Sequence, residues 1–147
     1  MNSIFESSSY KEITQRLGKL SPESKGLWGK MSAAQMLWHC QFPIQLAIKN
    51  KKPTKSPNLL MRLLFKKSMY NDKLWRKNLP TVTVAKATEA KEYEVELKKL
   101  RDKLEALYQL REREDWQPHP NFGEFTSTQW GQLQYKHLDH HFRQFGI

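Results

Sequence analysis

The residues best placed to do chemistry are the histidines of the C-terminal stretch TSTQWGQLQYKHLDHHFRQFGI, residues 126–147. Thr126 and Gln129 stand in the spacing of a capping box, so a helix is expected to begin near Ser127. Wound at about 100° per residue with Trp130 at the origin, His137 and His141 fall about 20° to either side. Leu133, Leu138 and Phe145 flank them, whereas Lys136, Asp139 and Arg143 fall on the opposite side. Two imidazoles one turn apart thus occupy the middle of the face that should be buried. Burying them without partners is costly, and a metal ion is the strongest partner available.

A third nitrogen has a natural source in His39. It lies in AAQMLWHCQFPIQLAI, one turn before Pro43, which cannot donate to the carbonyl of residue 39. A kink or looser turn is expected there. A facial set of His39, His137 and His141 would leave coordination positions open for water or substrate. The competing reading is that these imidazoles bond to core carbonyls. Other polar residues offer less. His140 is on the edge of the apolar face, as an alternate ligand, a nearby base or a surface residue. His119, before a proline in HPNFG, is expected in a turn or at a pocket mouth. Gln144 lies near the histidine side and can orient a ligand. Asp139 is expected in solvent, and Cys40, about 100° round from His39, as a small buried hydrophobe.

The elements needed to hold this set are helical. A first helix is expected over about Tyr10–Lys19, with Ser9 and Glu12 as a capping box. The second starts at Ser32 with Gln35 and carries no charged residue from Met31 to Ile48, as suits a central helix. NLLMRLLFKKSMY, residues 58–70, reads as a short amphipathic helix with Leu60, Leu63, Leu64 and Met69 inward. Val82 and Val84 alternate as in a brief extended crossover. A long helix follows over about Ala87–Arg113, its stripe made by Tyr93, Leu97, Leu100, Leu104 and Leu107. Asn71, Trp75 and Tyr70 are candidates for the open end of a pocket between the second and last helices. The economical architecture is all-α, with four principal helices, an extra short helix in the crossover and one domain over residues 1–147.

Composition sets the outer bounds. A chain of 147 residues is sized for one core. Its mean hydropathy of -0.79 argues against an integral membrane protein, so no membrane partner is expected. The start, MNSIFESSSYKE, lacks the basic and apolar runs of a signal peptide, and a single cysteine suits a reducing compartment; a cytoplasmic location is expected. Net charge is +10, yet residues 49–77 alone hold ten Lys or Arg against one acid, Asp72. Three readings of that segment compete: a solvated crossover, attraction of an acidic small molecule, and a nucleic-acid surface with Phe65, Tyr70 and Trp75 stacking on bases.

The runs WGKMSAAQMLWHCQ, KNLPT and HPNFGEFTSTQWGQLQYKHLDHHFRQFG also carry a resemblance. Together they resemble a branch of unknown function in the DinB/YfiT-like superfamily, over about residue 10 to the end. The resemblance implies an up-down-down-up four-helix bundle whose metal ligands are a histidine on the second helix and a pair on the fourth. These fall on His39, His137 and His141. It further implies a divalent metal (Zn, Ni or Fe), a low-molecular-weight thiol cosubstrate, a small-molecule substrate and a homodimer. The function expected is a metal-dependent transferase or hydrolase. The alternatives are a nucleic-acid-binding protein using residues 49–77 and a non-catalytic metal-binding scaffold.

Overall fold

The computed structural model describes residues 1–147 and is all-α. Five α-helices follow one another: α1 Ser7–Leu17, α2 Ala33–Lys49, α3 Leu59–Phe65, α4 Tyr93–Gln109 and α5 Ser127–Gln144. Two 3-10 turns, Lys66–Met69 and Thr83–Ala85, interrupt the long connection between α2 and α4. There is no strand, only a single antiparallel bridge between His119 and Gly123. No helix is long and apolar enough to cross a membrane.

Helices α2 and α5 start where their capping boxes place them. Ser32 and Gln35 exchange side-chain bonds with each other's backbone N–H, as do Thr126 and Gln129. α2 runs on through Pro43, whose carbonyl accepts from the amide of Gln134 on α5 at 3.1 Å. Its end is turned by Asn50 in the left-handed region, φ 44°. The Asn50 side chain then bonds the backbone of Asp115 and Gln117, fastening α2 to the connection between α4 and α5.

One core holds these helices together. Ile13 and Leu17 of α1, Met36, Leu37, Cys40 and Ile44 of α2, Leu100, Leu104 and Leu107 of α4, and Trp130, Leu138 and Phe142 of α5 belong to a single buried cluster. α2 packs on α4 and α5, and α1 packs on α5. The N-terminal segment crosses α5 closely at Gly131, where a Cβ would collide with Ser3 and Phe5.

Three elements depart from the sequence expectation. α1 begins earlier, at Ser7, and the Ser9–Glu12 box does not form. The Ser9 hydroxyl bonds Glu6, while Glu12 is taken by Arg16 and by the Tyr135 hydroxyl of α5. α4 is shorter at both ends, where side chains bond the flanking backbone. Carbonyls of Ala87 and Glu89 accept from Gln35, and that of Arg113 accepts from the Trp116 indole. The largest difference is in α3. Leu60, Leu63 and Leu64, expected inward, are 63%, 69% and 62% exposed. Met61, on the other side of the same turn, faces the core instead. Val82 and Val84 are exposed as well; Val82 precedes a 3-10 turn and Val84 lies within it, in place of an extended crossover.

Candidate metal centre

His39 comes from the middle of α2, and His137 and His141 from successive turns of α5. One ring nitrogen of each lies within 4.8 Å of the other two. The surroundings fix which nitrogen that is. His39 Nδ1 is 2.8 Å from the Ala85 carbonyl, which can only accept, so Nδ1 carries the proton and Nε2 the lone pair. Ala85 belongs to the 3-10 turn of the crossover. His141 Nδ1 is 2.9 Å from Gln144 Oε1. The Gln144 amide is oriented in turn, because its Nε2 donates to the Trp28 carbonyl at 2.7 Å. His141 therefore also presents a bare Nε2. Gly29, φ +77°, lets the 26–29 loop close on Gln144, since a Cβ there would strike the Gln144 amide.

His137 completes the set and exposes its cost. Its Nε2 stands 3.1 Å from His39 Nε2, and its Nδ1 is buried with no partner. If Nδ1 holds the proton, two lone pairs face each other. If Nε2 holds it, Nδ1 and His141 Nε2 both go unsatisfied. A cation at the meeting point gives all three lone pairs a partner. At about 2.1 Å per bond, the ligand atoms of a tetrahedral ion stand about 3.4 Å apart, close to the spacing of the His39–His137 pair. The donor set fits a divalent cation.

Electrostatics favours the ligating form. Burial holds all three imidazoles below their usual pKa, and the neighbouring histidines add to it for His137 and His141. His141 is pushed down to about 3. The bond to Ala85 opposes the shift at His39, and the bond to Gln144 does so at His141. At neutral pH all three are therefore uncharged, and a metal need not compete with protons. His39 and His141 are almost entirely buried; His137 is half-buried as a residue, with its Nδ1 sealed.

The remaining candidates separate. Gln144 is positioned as the partner of His141. His140 is outside the three-nitrogen cluster; its ring centroid is 5.1 Å from that of His141 and 5.7 Å from Trp75, and it lines a neighbouring cavity. His119 is not at the site. It is buried among Phe122, Phe125 and Trp130, and its Nδ1 accepts from the Asn121 N–H. Cys40 is fully buried with Sγ 3.6 Å from Met36 Sδ, and burial raises its thiol pKa, so it offers no thiolate.

Asp139 and Lys136 correct the simple wheel, being buried rather than solvated. Asp139 bonds Arg16 and Arg143, each at 2.8 Å. The Lys136 ammonium donates to the Ser68 and Asn71 carbonyls and to Asn71 Oδ1, all at 2.7 Å. Asn71 and Trp75 do line the cavity beside the cluster, but Tyr70 does not, and no α2 residue does; it lies between α5, the crossover and the N-terminal segment. The carbonyls of Ala85 and Trp28 have no side-chain signature, so sequence reasoning had nothing to find them by.

Neither the curated proteins nor the solved structures contain a significant match to this chain. A family profile does match it, over residues 5–146. With nearly the whole chain covered, the protein belongs to the family described as Protein of unknown function (DUF1569).

Proposed function

We propose that this chain is a DinB/YfiT-like, metal-dependent enzyme acting on a small molecule, with His39, His137 and His141 as the ligands. In this reading α1, α2, α4 and α5 form an up-down-down-up bundle, a single domain over residues 1–147, with α3 in its crossover. The observation that carries it is the convergence of three neutral imidazoles, two with tautomers pinned by Ala85 and Gln144 and the third with its Nε2 3.1 Å from that of His39. Zn, Ni and Fe all suit an all-imidazole set. Such an ion supplies Lewis acidity, favouring a thiolate or hydroxide nucleophile at neutral pH.

The chain's own residues do the rest. The Ala85 carbonyl and Gln144 hold two rings in the ligating tautomer, as metal-bound histidines ordinarily require. The cavity beside His140 favours catalysis over a closed scaffold. Of the aromatic residues offered for base stacking, Trp75 packs on His137 and Tyr70 on Phe125, leaving Phe65 as the exposed one. That weighs against nucleic acid. A thiol cosubstrate, a cytoplasmic location and a homodimer belong to the same reading; the site draws on one chain alone.

Cobalt substitution tests it. Co(II)-loaded protein should show visible d–d bands, and 2-mercaptoethanol should add a thiolate-to-metal charge-transfer band. Bands unchanged by the thiol would remove the thiol step, and no bands at all would remove the metal.

A further inference from the structure

Beside the histidine cluster is a cavity of about 290 Å³, between the last turns of α5 and residues 71–77 of the crossover. Trp75 and His140 form part of its wall. The same two rings pack on the cluster, with centroids 6.1 Å from His137 and 5.1 Å from His141. The cavity is thus one ring's width from the converging nitrogens.

Its charge is unbalanced in a specific way. Lys136 reaches the wall, but its ammonium is fully used by three oxygens. Asp139 is neutralised between Arg16 and Arg143, and Asp72 pairs with the Met1 amino group at 3.2 Å. The cations differ. The side chain of Lys73 has no ion pair or hydrogen bond. The Lys77 ammonium is 4.7 Å over the Trp28 ring and makes no ion pair. Arg143 uses only Nε, toward Asp139, leaving the outer edge of its guanidinium free. Lys73 and Lys77 line one cleft with no ion pair of their own, and an anion bound by them and by the free edge of Arg143 relieves their repulsion.

We infer that this cavity binds a small organic acid, its carboxylate between Lys73, Lys77 and Arg143 and its carbon body against Trp28 and Trp75. The guanidinium edge suits a carboxylate's paired oxygens. The negative end of the α5 dipole opposes any anion there, and a phosphate dianion more than a singly charged carboxylate. A volume of about 290 Å³ stands at the small end of ligand pockets, as suits a small molecule. That this acid is the substrate rests on the metal reading; that the cavity binds it does not.

The test is a titration of the metal-loaded, ¹⁵N-labelled protein, following the indole N–H signals of Trp28 and Trp75. The probes are phenylacetate, its neutral amide phenylacetamide, and phenylphosphonate. Phenylacetate is expected to shift both signals saturably and phenylacetamide to shift neither. Lys73→Gln/Lys77→Gln should weaken phenylacetate roughly tenfold or more while keeping full metal content. No saturable shift, an equal response to the amide, or undiminished affinity in the double variant would overturn the inference. Tighter binding of phenylphosphonate would overturn the carboxylate assignment. Failure of the metal reading shows separately, as wild-type protein that takes up no metal, and the same titration of that protein still decides the cavity.

Discussion

Helix α5 and the crossover between α2 and α4 both carry charged residues through the middle of the chain's contacts, and they treat them in opposite ways. In α5, Lys136 and Asp139 are buried, and each is matched to two or more polar partners. In the crossover, the cations of residues 49–77 are mostly exposed, and so are the leucines beside them. α5 is enclosed because α1, α2 and the crossover all lean on it; α3 rests on the molecule by one side of one turn. Exposure here follows the number of neighbouring elements, not the polarity of the side chain.

That contrast is open to direct attack, and the largest effect should come from its most enclosed charge. Asp139→Ala leaves Arg16 without its buried partner and should cost about 3–5 kcal/mol in denaturant unfolding. Asp72→Asn, at an 82% exposed side chain in the crossover, should cost about 0–1 kcal/mol. Equal losses would erase the distinction. The apolar version should run in parallel. Leu104→Ala empties a fully buried position and should cost about 2–5 kcal/mol, whereas Leu63→Ala should stay within about 0.5 kcal/mol. A large loss at Leu63 would mean that α3 is covered in solution.

A smaller effect separates the ring's holder from the ring. Gln144→Leu removes the acceptor of His141 Nδ1 without removing a ligand, and should weaken metal binding about 10–100-fold in competition with a chelator. Unchanged affinity would make Gln144 a packing residue.

A separate effect concerns His119, which is away from the histidine cluster. Burial lowers its pKa from 6.5 to about 4, so the unfolded chain binds the extra proton between those values. The stability His119 contributes is complete above pH 6.5 and is lost as pH falls toward 4. His119→Phe should flatten the stability–pH slope in that window by up to about 1.4 kcal/mol per unit. An unchanged slope would show that His119 is not held neutral.

The parts legible in the sequence are those with a local physical cause. Thr126 with Gln129 and Ser32 with Gln35 mark two helix starts because the capping bonds span only three residues. His137 and His141 share a face because helical phase is nearly rigid. The same logic fails at Ser9 with Glu12, where Arg16 and Tyr135 take the glutamate, and at Lys136 and Asp139, which are buried against Ser68, Asn71 and Arg16 from distant parts of the sequence. In α3 the leucine spacing is amphipathic, but nothing in seven residues says which side the rest of the molecule will occupy. The site is half legible for a similar reason: its three rings have a pattern, while the Ala85 and Trp28 carbonyls that orient two of them are backbone.

The most direct measurement is metal content by elemental mass spectrometry on tag-free protein, wild type beside His39→Ala, His137→Ala and His141→Ala. The account predicts near-stoichiometric divalent metal in the wild type and its loss in all three variants, each still helical by circular dichroism. A wild type that stays metal-free after incubation with Zn, Ni or Fe would contradict it, as would variants that hold metal as well as the parent.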